Sequence, residues 1–280
     1  DLRDRDTLVV RFDDTGAVEW AQTFDWDTGS EATSNESYFG AFVDAAGRLV
    51  VANHLSLGGD VHEGVPVWIF ALTDGGELAW EYVHDDYDMA SYWGLVHDDE
   101  GMFLVGTRAH PDIQGPLQAL RLNAEGELLW ETMIDGAPDF RHHVRDALPT
   151  PDGGYLLSGM ISDGTPARLW KLDANGELLW TATPGDFRAD ITNMVPFEEG
   201  YLLRSQVHMD DVTTAAFVGV GQDGDVLWRH HEGFEPSERS AHHTFRDLVT
   251  NARGEVLAVG YSAADDVRSA VAIQFGRRCR

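Results

Sequence analysis

Apolar residues along this chain fall in short runs separated by polar clusters that hold a glycine, and helical periodicity is absent throughout. Runs such as Tyr155-Leu156-Leu157 are apolar at consecutive positions, as a strand covered on both faces requires. Elsewhere the pattern alternates: Trp170 and Leu172 take one face of a strand and Lys171 the other, and after the next turn Leu178 and Trp180 are expected to share a face. The pairs Gly75-Gly76, Asn175-Gly176 and Asp223-Gly224 lie between two such runs and supply the positive φ that tight hairpins need. The pattern predicts an all-β chain of hairpins.

The hairpins repeat. Five segments align without gaps, from Phe12 to Trp20, Leu72 to Trp80, Leu122 to Trp130, Leu172 to Trp180 and Val220 to Trp228. Each places a glycine four residues before the tryptophan: Gly16, Gly76, Gly126, Gly176 and Gly224. A sixth copy begins at Ala270 and stops after Phe275. Between them lie five apolar runs, Leu49–Asn53, Met102–Gly106, Tyr155–Gly159, Tyr201–Ser205 and Val256–Gly260, each preceded by a turn and, before that, by another apolar stretch. One repeat is therefore four short antiparallel strands. A single four-stranded sheet cannot bury two apolar faces, whereas like sheets stacked face to face around an axis can. The fold expected is a β-propeller of four-stranded blades in one domain spanning 1–280, with repeats near 7–24, 39–84, 92–134, 144–183, 191–230 and 245–275. The strand inventory is uneven: five first, five second, six third and five fourth strands. It fits either five blades plus an extra strand or a fragment of a six-bladed propeller, and the start at Asp1 favours an N-terminally incomplete domain. Trp20, Trp80, Trp130, Trp180 and Trp228 read as packing residues between neighbouring blades. An aromatic ligand stack is the rival reading, but one tryptophan per blade at a fixed position after the turn is a structural pattern.

The segment Lys171-Leu-Asp-Ala-Asn-Gly-Glu-Leu-Leu-Trp180, preceded by Asp152-Gly-Gly-Tyr-Leu-Leu-Ser-Gly159, resembles the repeat of bacterial extracytoplasmic β-propellers. It is also similar to the quinoprotein-like (PQQ-like) propeller superfamily, whose docking motif ends in Gly-x-x-x-Trp. The resemblance implies a propeller working in the periplasm, at the cell surface or in secreted form. The turn here is one residue shorter than that docking motif, which argues against a quinone-dependent enzyme.

Charge narrows the partners. A net charge of −28 repels phosphate backbones and anionic headgroups, so nucleic acid is excluded as a partner. No run approaches the roughly 18 apolar residues of a spanning helix, so membrane insertion is not expected. The one cysteine, Cys279, can make neither an internal disulfide nor a cysteine-based zinc site. A monomer that binds a protein or a small anionic ligand fits this composition.

Two repeats approach their first strand in the same unusual way, as Arg141-His-His-Val-Arg-Asp146 and Ala241-His-His-Thr-Phe-Arg-Asp247. Arg145 aligns with Arg246, Asp146 with Asp247 and His142 with His243, while the other repeats are aligned with Gly40, Gly94 and Thr192 at the aspartate position. Residues that some blades carry and others lack are candidates for a ligand site. Arg145, Asp146, Arg246 and Asp247 are expected near one end of the central axis, with His142 and His243 on adjoining loops. The structural alternative is an Arg–Asp pair that satisfies backbone groups and clamps blades. Adjacent histidines on a strand point to opposite faces, so no metal site is assigned to them. The loop Asp25-Trp-Asp-Thr-Gly-Ser-Glu31 alternates oxygen ligands in a way that makes calcium possible, although it lacks the distal glutamate of an EF-hand, and Asp85–Asp88 is a second acidic loop. No other cofactor is predicted. There is no phosphate-binding glycine loop, no Gly-x-Ser-x-Gly elbow and no His-Glu-x-x-His. The function expected is a non-catalytic, extracytoplasmic binding or scaffold propeller. The alternative is an enzyme, a lyase, hydrolase or quinoprotein relative, with its site at the mouth of the central channel.

Overall fold

The computed structural model describes residues 6–26, 34–57, 66–84, 89–110, 113–134, 142–161, 166–185, 189–209, 212–232, 242–264 and 267–276. All regular structure among them is β, and the chain divides into two compact units, Asp1–Phe140 and Arg141–Arg280. In the first unit β1 (Thr7–Phe12) pairs with β2 (Val18–Phe24). A four-stranded sheet follows, made of β3 (Ser34–Val43), β4 (Leu49–Leu57), β5 (Val67–Leu72) and β6 (Leu78–His84). A second comprises β7 (Met89–Asp98), β8 (Gly101–His110), β9 (Ile113–Asn123) and β10 (Leu128–Ile134). The second unit holds two four-stranded sheets. One is β11 (His142–Pro149), β12 (Tyr155–Ile161), β13 (Arg168–Leu172) and β14 (Leu178–Ala182). The other is β15 (Ala189–Phe197), β16 (Gly200–Met209), β17 (Val212–Gly221) and β18 (Val226–Glu232). A three-stranded sheet of β19 (His242–Thr250), β20 (Val256–Ala264) and β21 (Val267–Phe275) completes it. Every sheet is antiparallel with its strands in chain order. The sheets are the four-stranded blades of a propeller, and each strand position that the repeats predict is filled.

The hairpin turns take one recurring form. Asp173 N–H donates to Glu177 C=O at 2.9 Å, and Gly176 N–H donates to Asp173 C=O at 3.2 Å. The Asp173 carboxylate accepts from the N–H groups of Asn175 and Glu177, both at 2.8 Å, so the side chain mimics a backbone turn. The same five-residue loop closes 13–17, 44–48, 123–127 and 251–255. The left-handed conformation falls on the glycine alone (φ +82° at Gly176, +86° at Gly224), while Asn175 and Asp223 keep negative φ. The turns are thus wider than the two-residue hairpins the dipeptides announce.

That glycine also has a second task. A Cβ on Gly126 would lie 2.4 Å from the Trp80 ring, one on Gly224 2.9 Å from Trp180, and one on Gly76 3.1 Å from Trp20. Each of these three tryptophans therefore leaves its own sheet and rests on the turn of the next, in the space a side chain would fill. Trp228 likewise stacks on Phe275 of the next sheet, with centroids 6.1 Å apart. The rings stay only partly buried. A β-bulge directly precedes each of them, at residues 19, 79, 129, 179 and 227. The bulge breaks the alternation expected after the turn: Leu178 and Leu179 are 40% and 54% exposed, and only Trp180 turns inward.

The remaining apolar residues fill both faces of the inner strands. Val50 and Ala52 of β4 pack with Met102 and Leu104 of β8. The intervening Val51, with Leu55, packs toward Val9, Trp20 and Phe24. In the second unit Tyr201 and Leu203 of β16 face Leu156 and Leu169, while Leu202 faces Phe245 and Val256. Lys171, buried among such residues, ends in a salt bridge to Asp152 at 2.9 Å and a hydrogen bond to Leu172 C=O at 2.8 Å. Thr150 and Lys171 together overcome the burial that would raise Asp152 and hold it at about 2.

Two glycines separate the two tasks. Gly126→Ala meets both the left-handed φ and the Trp80 ring, whereas Gly16→Ala meets the φ with nothing within 4 Å of the new Cβ. Gly16→Ala is expected to cost about 1 kcal/mol and Gly126→Ala about 3 kcal/mol in urea denaturation. Equal losses would mean that the tryptophan seat contributes nothing to stability.

Candidate functional site

The first strand of each three- or four-stranded sheet carries a bulge at the same place. The extra residue is Phe39 in β3, Trp93 in β7, Arg145 in β11, Thr192 in β15 and Arg246 in β19. The residue after the bulge is Gly40, Gly94, Asp146, Asn193 or Asp247. The structural equivalent of the two aspartates in β15 is therefore Asn193, not Thr192. All five strands share the bulge; the mismatch comes from the turn after β15, where Glu198-Glu199 replace the five-residue loops 150–154 and 251–255, so counting back from Tyr201 lands one residue early.

A bulge interrupts the ladder and leaves backbone groups to be paired otherwise. In the second unit, side chains of neighbouring sheets do this. The Asp146 carboxylate accepts from Met194 N–H of the next sheet at 2.7 Å and from its own Ala147 N–H at 3.0 Å. Asn193 accepts from Leu248 N–H of the sheet after it at 3.0 Å, and Asp247 accepts from Leu248 N–H at 2.8 Å. The residues opposite the bulges pair the carbonyls. Ser158 donates to Ile191 C=O at 3.1 Å, and the Arg204 guanidinium donates to Phe245 C=O. In the first unit the glycines allow direct packing instead: a Cβ on Gly40 would lie 2.5 Å from Leu95 of the next sheet.

Four charged groups, Asp146, Arg204, Asp247 and Arg246, interact across these straps. Burial raises the Asp146 carboxyl to about 6, against the hydrogen bonds from Met194 and Ala147 and the field of Arg204, and the charge of Asp247 adds to the rise. Burial lowers the Arg204 guanidinium, while Asp247 and Asp146 act to keep it charged and Arg246 acts against it. Arg145, Arg246 and Asp247 are exposed, Asp146 is partly buried and Arg204 is 7% exposed. The Arg246 guanidinium lies 5.6 Å from the centre of the Tyr261 ring.

The structure brings Asp146, Asp247 and Arg246 together around Arg204. Arg145 occupies the bulge beside Asp146, the counterpart of Arg246. His142 and His243 lie within β11 and β19, paired with Ile161 and Ser262, and not on loops. Sequence reasoning missed Arg204, Asn193 and Ser158. A charged residue inside the apolar run Tyr201-Leu-Leu-Arg-Ser205 was the available signal for Arg204. Of the first acidic loop only Asp25 and Trp26 are described, and Asp85–Asp88 lies outside the described residues; among the described residues no three metal-ligating side chains cluster.

No protein-family model and no curated protein sequence matches the chain. Solved structures do. Prolyl oligopeptidase B from Galerina marginata is similar at 12% identity with a TM-score of 0.53, over 92% of this chain and 37% of that one. A putative exo-β-1,3-galactanase from Bifidobacterium bifidum s17 is similar at 12% identity and TM-score 0.46, over 96% of both chains. A glycosyl hydrolase from Bacteroides ovatus is similar at 11% identity and TM-score 0.38, over 85% of this chain and 84% of that one. These likenesses concern the fold. They also correct the expectation of a non-catalytic scaffold: the structures of similar fold are enzymes, so the lack of a catalytic motif in the sequence is no mark of an inert propeller.

The raised Asp146 has a thermodynamic signature. Its folded value of about 6 lies above the ordinary 3.8, so between those limits the native state holds more protons than the unfolded one. Asp146 therefore costs stability above pH 6, and the cost disappears as pH falls toward 4. Asp146→Asn keeps an acceptor for Met194 and has no such cost. Relative to this variant, the parent is expected to gain on the order of 2 kcal/mol between pH 7 and pH 4 in paired denaturation curves. A difference that does not change with pH would remove the raised carboxyl from the account.

Proposed function

We propose that this chain is a glycan-cleaving hydrolase whose general acid is Asp146. The observation that carries the reading is a partly buried carboxyl at about 6 that interacts with an exposed second carboxylate, Asp247, across Arg204. Glycoside hydrolysis needs two carboxyl groups in different protonation states, and environments that push their affinities apart supply them. Protonated Asp146 can accept from Met194 and Ala147 N–H and still donate its own proton, so the contacts that hold it leave it competent as an acid. In the proposed step Asp146 gives its proton to the glycosidic oxygen as the bond to the anomeric carbon breaks. Water adds to that carbon and its proton passes to Asp247. Arg204, fixed by Phe245 C=O, faces the charge left on Asp146. A position outside the cytoplasm, implied by the repeat resemblance, is part of the same proposal, since polymeric glycans are met there.

Incubation of the intact protein with a panel of plant, animal and bacterial glycans, read by released reducing ends, tests it. Release is expected to fall above pH 6 as Asp146 ionises, and to drop by a factor on the order of 100 or more in Asp146→Asn. A parent that releases no sugar from any glycan, or a variant with the parent's rate, would sink the reading.

A further inference from the structure

The second unit holds a pocket of about 200 Å³ that is lined by none of the residues surrounding Asp146. It lies between the β11–β14 sheet and the β15–β18 sheet, to which it owes Tyr201 and Gln222. One of its residues is Lys171, the chain's one lysine. The repeat does not require a lysine there: the position that pairs with the blade tryptophan is Arg11, Ala71, Arg121 or Gly219 in other sheets. The loop 150–154 also departs from the pattern. Loops 13–17, 44–48, 123–127, 173–177 and 251–255 begin with Asp or Asn, whose side chain folds onto its own loop. Loop 150–154 begins with Thr150 and carries its carboxylate on Asp152, beside Lys171. The two departures meet in the wall of the pocket.

The polar part of that wall is neutral in sum. Lys171 Nζ is held by Asp152 at 2.9 Å and by Leu172 C=O at 2.8 Å, so the ion pair adds no net charge. The Asp152 carboxylate is nonetheless 57% exposed. Its Oδ1 accepts from Thr150, Lys171 and Gly154, whereas Oδ2 has Lys171 alone and can take a further donor. Burial and the charge of Asp152 both raise the Tyr201 phenol, which stays neutral and able to donate at neutral pH. The exposed Gln222 amide offers a donor and an acceptor. The rest of the wall is apolar: Pro151, the half-buried Trp180 ring and Leu179, which is 54% exposed.

From this lining we infer that the pocket binds one neutral pyranose ring, with Asp152 Oδ2, Tyr201 and Gln222 taking its hydroxyls and the Trp180–Leu179 wall its C–H face. A sugar ring has the same division, with hydroxyls that donate and accept around an apolar face. An anionic ligand would meet the exposed Asp152 while Lys171 is already engaged. A cationic ligand would meet a carboxylate whose charge Lys171 already offsets. The pocket is smaller than the roughly 300–1,000 Å³ of sites for drug-sized ligands, so it takes one ring and leaves the rest of a glycan outside. Its role is to anchor a glycan end on this face. The site is separate from the Asp146 group and does not depend on the hydrolase reading.

Ligand-observed NMR titration of the intact protein tests it, with the methyl β-glycosides of glucose, galactose and mannose, with methyl β-glucuronoside and with methylguanidinium. At least one neutral glycoside is expected to bind, with an affinity that does not change as salt is added. Methyl glucuronoside and methylguanidinium are expected to bind at least about fivefold more weakly. Tyr201→Phe combined with Gln222→Ala removes a hydroxyl and an exposed amide and leaves the Lys171–Asp152 pair in place, so its fold can be verified by circular dichroism. That variant is expected to bind the glycoside at least about tenfold more weakly than the parent. No binding of any neutral glycoside at roughly 50 mM, tighter binding of either charged probe, or unchanged affinity in the double variant would overturn the inference. Asp146→Asn is expected to bind the glycoside as the parent does. Binding lost in Asp146→Asn and kept in the double variant would belong to the Asp146 group and overturn this site. A parent that binds the glycoside here and releases no sugar from any glycan leaves this site standing and sinks the hydrolase alone.

Discussion

The constraint from which the structure follows is that each sheet has two apolar faces and can cover neither by itself. Val50 and Val51 are neighbours on β4, yet they belong to different cores on opposite sides of the sheet. Leu202 and Leu203 repeat the arrangement on β16. Such a strand is stable only between two others, so the repeat is stable only as a stack. The Gly-x-x-x-Trp spacing belongs to the same constraint. Its glycine closes a hairpin with a left-handed φ, and the absence of its side chain opens the seat into which the preceding sheet's tryptophan fits. One residue type thus solves a local problem and a packing problem at once.

Stacking brings the first strands of neighbouring sheets close together, and their bulges leave backbone groups to be satisfied at that approach. The two units meet the demand differently. In the first, Gly40 allows the strand to close on Leu95 with no polar group between. In the second, Asp146, Asn193, Ser158 and Arg204 reach across to N–H and C=O groups of the next sheet. The apolar solution is tight and chemically silent. The polar solution places one carboxylate, Asp146, and one guanidinium, Arg204, where water is scarce, and this is how charged groups come to be concentrated along the first strands of the second unit.

The fold was legible because its determinants are periodic. Turn glycines, tryptophans and doubly apolar runs recur at fixed spacing, and the twenty-one strands among the described residues coincide with runs visible in the sequence. What the sequence hid are the bulges. A bulge adds a residue without changing composition, so Leu178 is placed on the tryptophan's face where the strand has already slipped, and the short Glu198-Glu199 turn shifts the count by one, so that Thr192 is matched to Asp146 where Asn193 is the equivalent. The site was half legible for a related reason. Arg145, Asp146, Arg246 and Asp247 stood out because two repeats share them. Arg204 occurs in one repeat only, and its role depends on a neighbouring sheet that no local pattern reveals.

Asp146 is where structural and chemical demands meet, and they pull in opposite directions. As a strap it accepts two N–H groups and has Arg204 nearby, and each of these favours the charged form. Burial and the negative charge of Asp247 favour the neutral form, and they prevail. A residue selected only to pair Met194 N–H could be an asparagine, which accepts the bond without a charge to bury, and Asn193 does this for Leu248 one sheet further on. The chain therefore contains the cheaper solution and departs from it at Asp146, beside a second carboxylate and a set of arginines. Backbone satisfaction accounts for an acceptor at that position. It does not account for an ionisable one, and the ionisable group is the part of the arrangement that the proposed acid chemistry requires.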